Sequence, residues 1–162
     1  MTAKKASLVY TQGDKMRNLK LTIDLLPKGA WDTNLSKTLP QKEWDTLRHA
    51  AYERANNKCS CCKKAGEQLE AHEVWNFDIP SKTQTLTDIS ALCKNCHLVK
   101  HMRHTTMIGL DKAAKEHFLK VNNCSPNEFA SHFLEAEILF NERSEIDKWN
   151  MDTSILEKFT GK

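Results

Sequence analysis

The sequence predicts an α+β domain centred on a β-hairpin and a following helix, clamped together by a metal on four cysteines. Three observations predict it. Two Cys-x-x-Cys pairs, Cys59/Cys62 and Cys93/Cys96, are separated by thirty residues and offer two pairs of thiolates, the S₄ shell that zinc prefers. The stretch between them divides into two strand-like runs around a Pro80-Ser81 turn signal, and a helical pattern begins at the second pair. A hairpin then a helix, with one cysteine pair at each end, is a treble-clef arrangement. The gap is longer than a minimal zinc ribbon needs, which leaves room for a second site built from histidines.

With 162 residues, 40% of them hydrophobic, the chain has the size of one domain. It divides into a basic strand and helix region (1–57), the zinc core (58–104) and a C-terminal helical region (105–162). No apolar run approaches the roughly 20 residues that span a bilayer, so no membrane partner is expected. Residues 1–7 are polar and lack an apolar signal core, which points to a cytoplasmic protein, where six cysteines favour metal over disulfides. The net charge of +3 is uneven: residues 1–58 carry 11 Lys/Arg against 6 Asp/Glu, and residues 105–162 carry 7 against 10. A basic front and an acidic tail suit a polyanion along the first half; they also suit plain solvated surface.

Leu8-Val-Tyr10 reads as a short strand. Residues 19–26 (LKLTIDLL) place apolar side chains at 19, 21, 23 and 25, the period of a strand. Pro27-Lys-Gly29 breaks it. Residues 31–39 read as a loop or a short helix packing Trp31 and Leu35. Pro40 suits a first helical turn, and Trp44, Leu47, Ala51 and Ala55 then follow helical spacing, giving a helix from 41 to about 56. Residues 68–78 and 83–92 are the hairpin strands. Residues 93–103 form the next helix, with Leu98 and Met102 on its buried side. Asp111 caps a helix to 121 with Leu110, Ala114 and Phe118 inward. Ser125-Pro126-Asn127-Glu128 is a capping box with proline at the first position, opening a long amphipathic helix to Trp149 whose Phe129, Phe133, Ala136 and Phe140 are core residues. Ile155, Leu156 and Phe159 form an apolar end that tucks back onto the domain.

The arrangement of CSCC, LEAHEVW and DISALCKNCHLVKH resembles the HNH nuclease family, whose core is two strands and a helix around a metal. The similarity of motifs covers about residues 56–104. The flanking LLPKGAW, QKEWDTLR and RSEIDKWNMD are similar to members that carry a His-Glu-x-Trp element, which extends the likeness from about Leu21 onward. The resemblance implies that Cys59, Cys62, Cys93 and Cys96 hold a structural zinc and that a separate divalent ion sits between hairpin and helix. Cys61 competes with Cys62 for the first knuckle, and Cys124 reads as a buried, inert thiol. By position, His72 matches the first histidine of the motif and His97 the last, both ligands of the catalytic ion. His101 lies one turn on, on the same helix face as His97, where some members place a further ligand.

Two positions depart from the family pattern. The histidine that deprotonates the attacking water is replaced by Glu73, and the asparagine that orients that base is replaced by Asp88. The changes are mutually consistent, since a carbonyl that steers an imidazole has no purpose once the imidazole is gone. A register with His72 as the base would put Ala71 at a ligand position. A carboxylate with a pKa of about 4.3 is a weaker base than imidazole at about 6.5, a handicap of about tenfold. Glu73 and Asp88 would also set two anions beside a substrate phosphate unless a cation neutralises them. The sequence therefore predicts an HNH-type endonuclease using Mg²⁺, Mn²⁺ or Zn²⁺ on His72, His97 and His101, with a basic face of Lys42, Arg48, Arg54, Lys58, Lys94, Lys100 and Arg103 on the nucleic acid, DNA being the expected substrate. The alternative is an inactive HNH-like zinc module that binds nucleic acid or a protein partner, the latter through the acidic C-terminal helices.

Overall fold

The computed structural model of the chain describes residues 18–160, so the strand expected at Leu8-Val-Tyr10 lies outside them. After an extended stretch, a 3₁₀ turn (Lys28–Ala30) leads into α1 (Leu35–Thr38) and α2 (Gln41–Arg54). The hairpin follows as β1 (Leu69–Asp78) and β2 (Thr83–Cys93), then α3 (Lys94–Lys100), α4 (Met102–Met107), α5 (Asp111–Asn122), α6 (Pro126–Arg143), β3 (Asn150–Asp152) and α7 (Leu156–Thr160). The fold is α+β, with one three-stranded sheet in the order β1-β2-β3 and seven α-helices among the described residues. β1 and β2 are antiparallel, while β3 runs parallel to β2.

Local chemistry sets most boundaries. Asn34 caps α1 by accepting from the Ser36 N–H. The capping box at Ser125 and Glu128 is made in both directions. Asn123 ends α5 in the left-handed conformation (φ 47°), which asparagine tolerates. Pro40 stands one residue before α2, as its N-cap, rather than inside the first turn.

The period of two along β1 separates two environments. Glu70 and His72 face α3, whereas Ala71, Glu73 and Trp75 face α1 and α2. In β2, Thr87 has no partner on β1, because Asp88 pairs with Val74 and Leu86 with Trp75. That bulge lets Ile89 and Leu86, three apart, both join the core under α2. This smaller core holds Leu35, Leu47, Ala51, Leu86 and Ile89, and Ile155, Leu156 and Phe159 fold back onto it as expected. The larger core gathers Leu21, Ile23, Leu25, Leu92, Val99, Met102, Phe118, Phe129 and Phe140 around the cysteines.

Several expectations need correction. Residues 19–26 keep the alternation, with Leu21, Ile23 and Leu25 buried, yet they join no sheet. Helical partners satisfy their backbone instead. Asn122 both donates to the Leu21 carbonyl (2.8 Å) and accepts from its N–H (3.0 Å), His132 Nε2 accepts from Ile23 N (2.9 Å), and the Lys100 carbonyl accepts from Asp24 N (3.1 Å). The helix expected over 93–103 is broken at His101 (φ −100°, ψ 47°), where Thr105 Oγ1 donates to the freed Leu98 carbonyl. Val99, rather than Leu98, is its fully buried residue. The long helix stops at Arg143, short of Trp149, because the chain turns to place Trp149 edge-on to Phe77 and to lay β3 beside β2. Gly29 makes that turn fit: a Cβ there would overlap the Ile146 and Asp147 carbonyls. Trp31 and Leu110 are exposed rather than packed. No helix among the described residues is long and apolar enough to cross a membrane.

Candidate metal centres

The first cluster is made by one short loop and the junction of β2 with α3. α2 ends with Asn56 and Asn57 in left-handed conformations, and the chain then folds tightly: Lys63 N donates to the Cys59 carbonyl and Cys59 N to the Lys64 carbonyl. Ser60 N donates to the Ala91 carbonyl (2.8 Å), fixing the knuckle against β2. The second pair straddles the start of α3. As a result the sulfurs of Cys59, Cys62, Cys93 and Cys96 lie within 4.8 Å of one another, and Cys61 is outside the group. None is disulfide-bonded. The Cys62–Cys93 separation is 3.7 Å, against edges of about 3.8 Å in a tetrahedron with Zn–S bonds of about 2.3 Å. Four cysteines are therefore close enough to hold a metal such as zinc. Hydrogen bonding to Cys96 draws the Cys59 thiol down to about 4, while burial pushes Cys93 up to about 11. His117, which no sequence pattern pointed to, places Nε2 3.2 Å from Cys96 Sγ. Cys124 is half-buried against the larger core.

The second cluster shares a peptide bond with the first. His72 comes from β1, His97 from α3 and His101 from the break after it, and one nitrogen from each lies within 4.8 Å of the others. The Nε2 atoms of His97 and His101 are 3.1 Å apart, and the three ring centroids are separated by 4.8 to 5.4 Å. Glu70, two residues before His72 and on the same strand face, stands 2.7 Å from His97 Nδ1. That contact takes the Nδ1 proton and leaves the Nε2 lone pair aimed at the other rings, the tautomer a metal ligand needs. Burial lowers the His72 pKa, against a pull upward from Asp24, and burial with the neighbouring rings of His72 and His97 brings His101 down to about 3. Both are neutral at pH 7, as ligands must be.

Asp24 is a second carboxylate on this side of the hairpin, besides Glu70. Its Oδ2 lies 3.7 Å from His72 Nε2 and 2.8 Å from Lys100 Nζ. Burial works against its charge, but the bonds to His72 and Lys100 outweigh that and hold it well below the usual carboxylate range. A groove of about 1190 Å³ runs past the three histidines along the outer edge of β1, between α2 on one side and residues 19–26 with α6 on the other.

None of the remaining expected site residues joins the three histidines as a ligand group, although Glu73 and Arg48 line the same groove. Glu73, the residue at the family's base position, faces the opposite side of β1 from His72. Its carboxylate accepts from Leu35 N (2.8 Å) and Trp75 Nε1 (3.0 Å), so it anchors α1 to the hairpin. Burial raises its pKa. Asp88 is half-exposed, accepts from Ile89 N and pairs with Arg54 at 3.7 Å. The expected basic face is also thinner than its sequence suggests. Lys100 is buried on Asp24 and Thr22, Arg48 is bound to Asp45, and Arg103 is bound to Glu137 over the Phe140 ring. Arg54 also stacks on Phe159. Lys42, Lys58 and Lys94 remain exposed and have no ion-pair partner among the described residues.

No family model, curated protein or solved structure matches this chain. Its function has to be argued from these two clusters.

Proposed function

We propose that the chain is an HNH-type, metal-dependent endonuclease, with zinc in a treble-clef four-cysteine site and a second divalent ion (Mg²⁺, Mn²⁺ or Zn²⁺) on His72, His97 and His101. The observation that carries this reading is the convergence of three imidazoles beside a groove, one of them fixed in its ligating tautomer by Glu70. When bound, such an ion supplies Lewis acidity at a phosphoryl oxygen and at the leaving 3′ oxygen. The protein's own part is to hold the ligands and shape the groove. β1 and α3 fix His72 and His97 through the hairpin register and the Glu70 bond, and the break at His101 turns its ring inward. The exposed lysines Lys42, Lys58 and Lys94 suit phosphate contacts, which would make binding fall with salt.

The second reading, a zinc module that binds nucleic acid without cutting it, draws support from Glu73. Glu73 is held by Leu35 N and Trp75 Nε1 on the face of β1 opposite His72, which places it poorly to take a proton from water at the histidines. The discriminating experiment is plasmid nicking by purified protein with Mg²⁺, Mn²⁺ or Zn²⁺. The nuclease reading expects divalent-dependent nicking that falls at least about 100-fold in His97→Ala. Nicking that survives that change intact contradicts it, and binding without nicking under every ion supports the second reading.

A further inference from the structure

We propose that Asp24 is the fourth protein ligand of the ion held by His72, His97 and His101, so that residues 19–26 complete the second centre. This rests on the three-histidine reading above. The edge of a tetrahedron with bonds of about 2.0–2.1 Å is about 3.3 Å. His97 Nε2 and His101 Nε2, 3.1 Å apart, span one such edge; Asp24 Oδ2 approaches His72 Nε2 to 3.7 Å but is not within 4.8 Å of all three ring nitrogens, so the carboxylate closes onto the ion by a side-chain swing of an ångström or more.

Three contacts hold Asp24 beside the histidines, two of them on its carboxylate. The Asp24 N–H donates to the Lys100 carbonyl (3.1 Å), Lys100 Nζ donates to Oδ2 (2.8 Å), and Thr22 Oγ1 donates to Oδ1 (2.9 Å). Oδ2 keeps a second lone pair, so the ammonium does not exhaust it. Charge gives the same answer. With three neutral imidazoles, a divalent cation here would have two nearby carboxylates, Glu70 behind His97 and Asp24, which also pairs with the buried Lys100 ammonium. Such supporting contacts to a ligand are what metal centres use to fix ligand orientation. The rival account is that Asp24 only neutralises Lys100.

Cobalt(II) distinguishes the two. Protein with zinc in the cysteine site is titrated with Co²⁺, reading visible absorption and binding heat for wild type, Asp24→Asn, Asp24→Asn/Lys100→Met and His97→Ala. A ligand role predicts that Asp24→Asn weakens the site at least about 100-fold, changes the cobalt spectrum, and is not rescued in the double variant, where the buried ammonium is gone. Unchanged affinity and spectrum in Asp24→Asn, or wild-type affinity restored in the double variant, would overturn the proposal. If wild type itself takes up no cobalt, the histidine reading fails and this proposal fails with it. If wild type binds, His97→Ala does not and Asp24→Asn is unaffected, the histidine reading stands and only the Asp24 ligand is lost.

Discussion

The sulfur cluster and the histidine cluster meet at the Cys96–His97 peptide bond, yet they are built to opposite plans. The four cysteines come from one short loop and the junction of β2 with α3, three of them are buried, and the loop is pinned by its own backbone hydrogen bonds. The histidines come from a strand, a helix and a helix break, and they border an open groove. A filled tetrahedral sulfur set offers a substrate nothing, so it serves the fold; an incomplete nitrogen set beside a groove is where chemistry has room. On the proposed reading, the difference assigns stability to one cluster and activity to the other.

The sharpest way to break that division is to remove a sulfur. Cys96→Ala should unfold the core around α3 or lower its melting temperature drastically, since structural zinc contributes on the order of 10 kcal/mol to small zinc folds. His97→Ala should leave the melting temperature within a few degrees. Circular dichroism melts of both, with and without chelator, check this.

Next in size is the strap that carries Asp24. Asn122→Leu removes both partners of the Leu21 backbone and leaves a buried N–H and C=O unpaired, a cost of about 2–4 kcal/mol in a denaturant titration. The zinc content of the sulfur site should not change. Glu70→Gln acts on the other cluster alone. It should weaken the second ion about 10–100-fold while leaving the urea midpoint within experimental scatter, because His97 loses the group that orients it.

The smallest expected effect is a pH slope. Burial lowers the His132 pKa, with Glu135 and Asp24 pulling the other way, and its Nε2 accepts from Ile23 N. The unfolded chain titrates near 6.5, so this histidine costs nothing above that pH. Below it, the unfolded state takes up a proton that the folded state resists, and stability falls until the folded pKa is passed. His132→Gln should make the loss of stability between pH 6.5 and 5 shallower.

The parts that were legible in the sequence are those whose determinants are local. Cysteine spacing, the two-residue period of the hairpin and the Ser125–Glu128 box each act over a few residues, and each was found where expected. Residues 19–26 show the limit. Their alternation is real, but alternation records only which side chains are buried, and here the backbone partners are Asn122, His132 and Lys100 rather than a neighbouring strand. Asp24 was missed for the same reason: its partners lie far along the chain. Glu70 was within reach, because a carboxylate two residues before a strand histidine shares its face. Glu73 was placed by motif position alone; the same alternation, applied one residue further, turns its side chain to the other face of β1 from His72. The basic face was overcounted because a sequence lists cations without the carboxylates that neutralise them.

Ion stoichiometry tests the two-centre account most directly. Wild type and His72→Ala/His97→Ala are equilibrated with excess Zn²⁺, desalted and measured by elemental analysis. Two ions per chain in wild type and one in the variant are predicted; one ion per chain in both would contradict it.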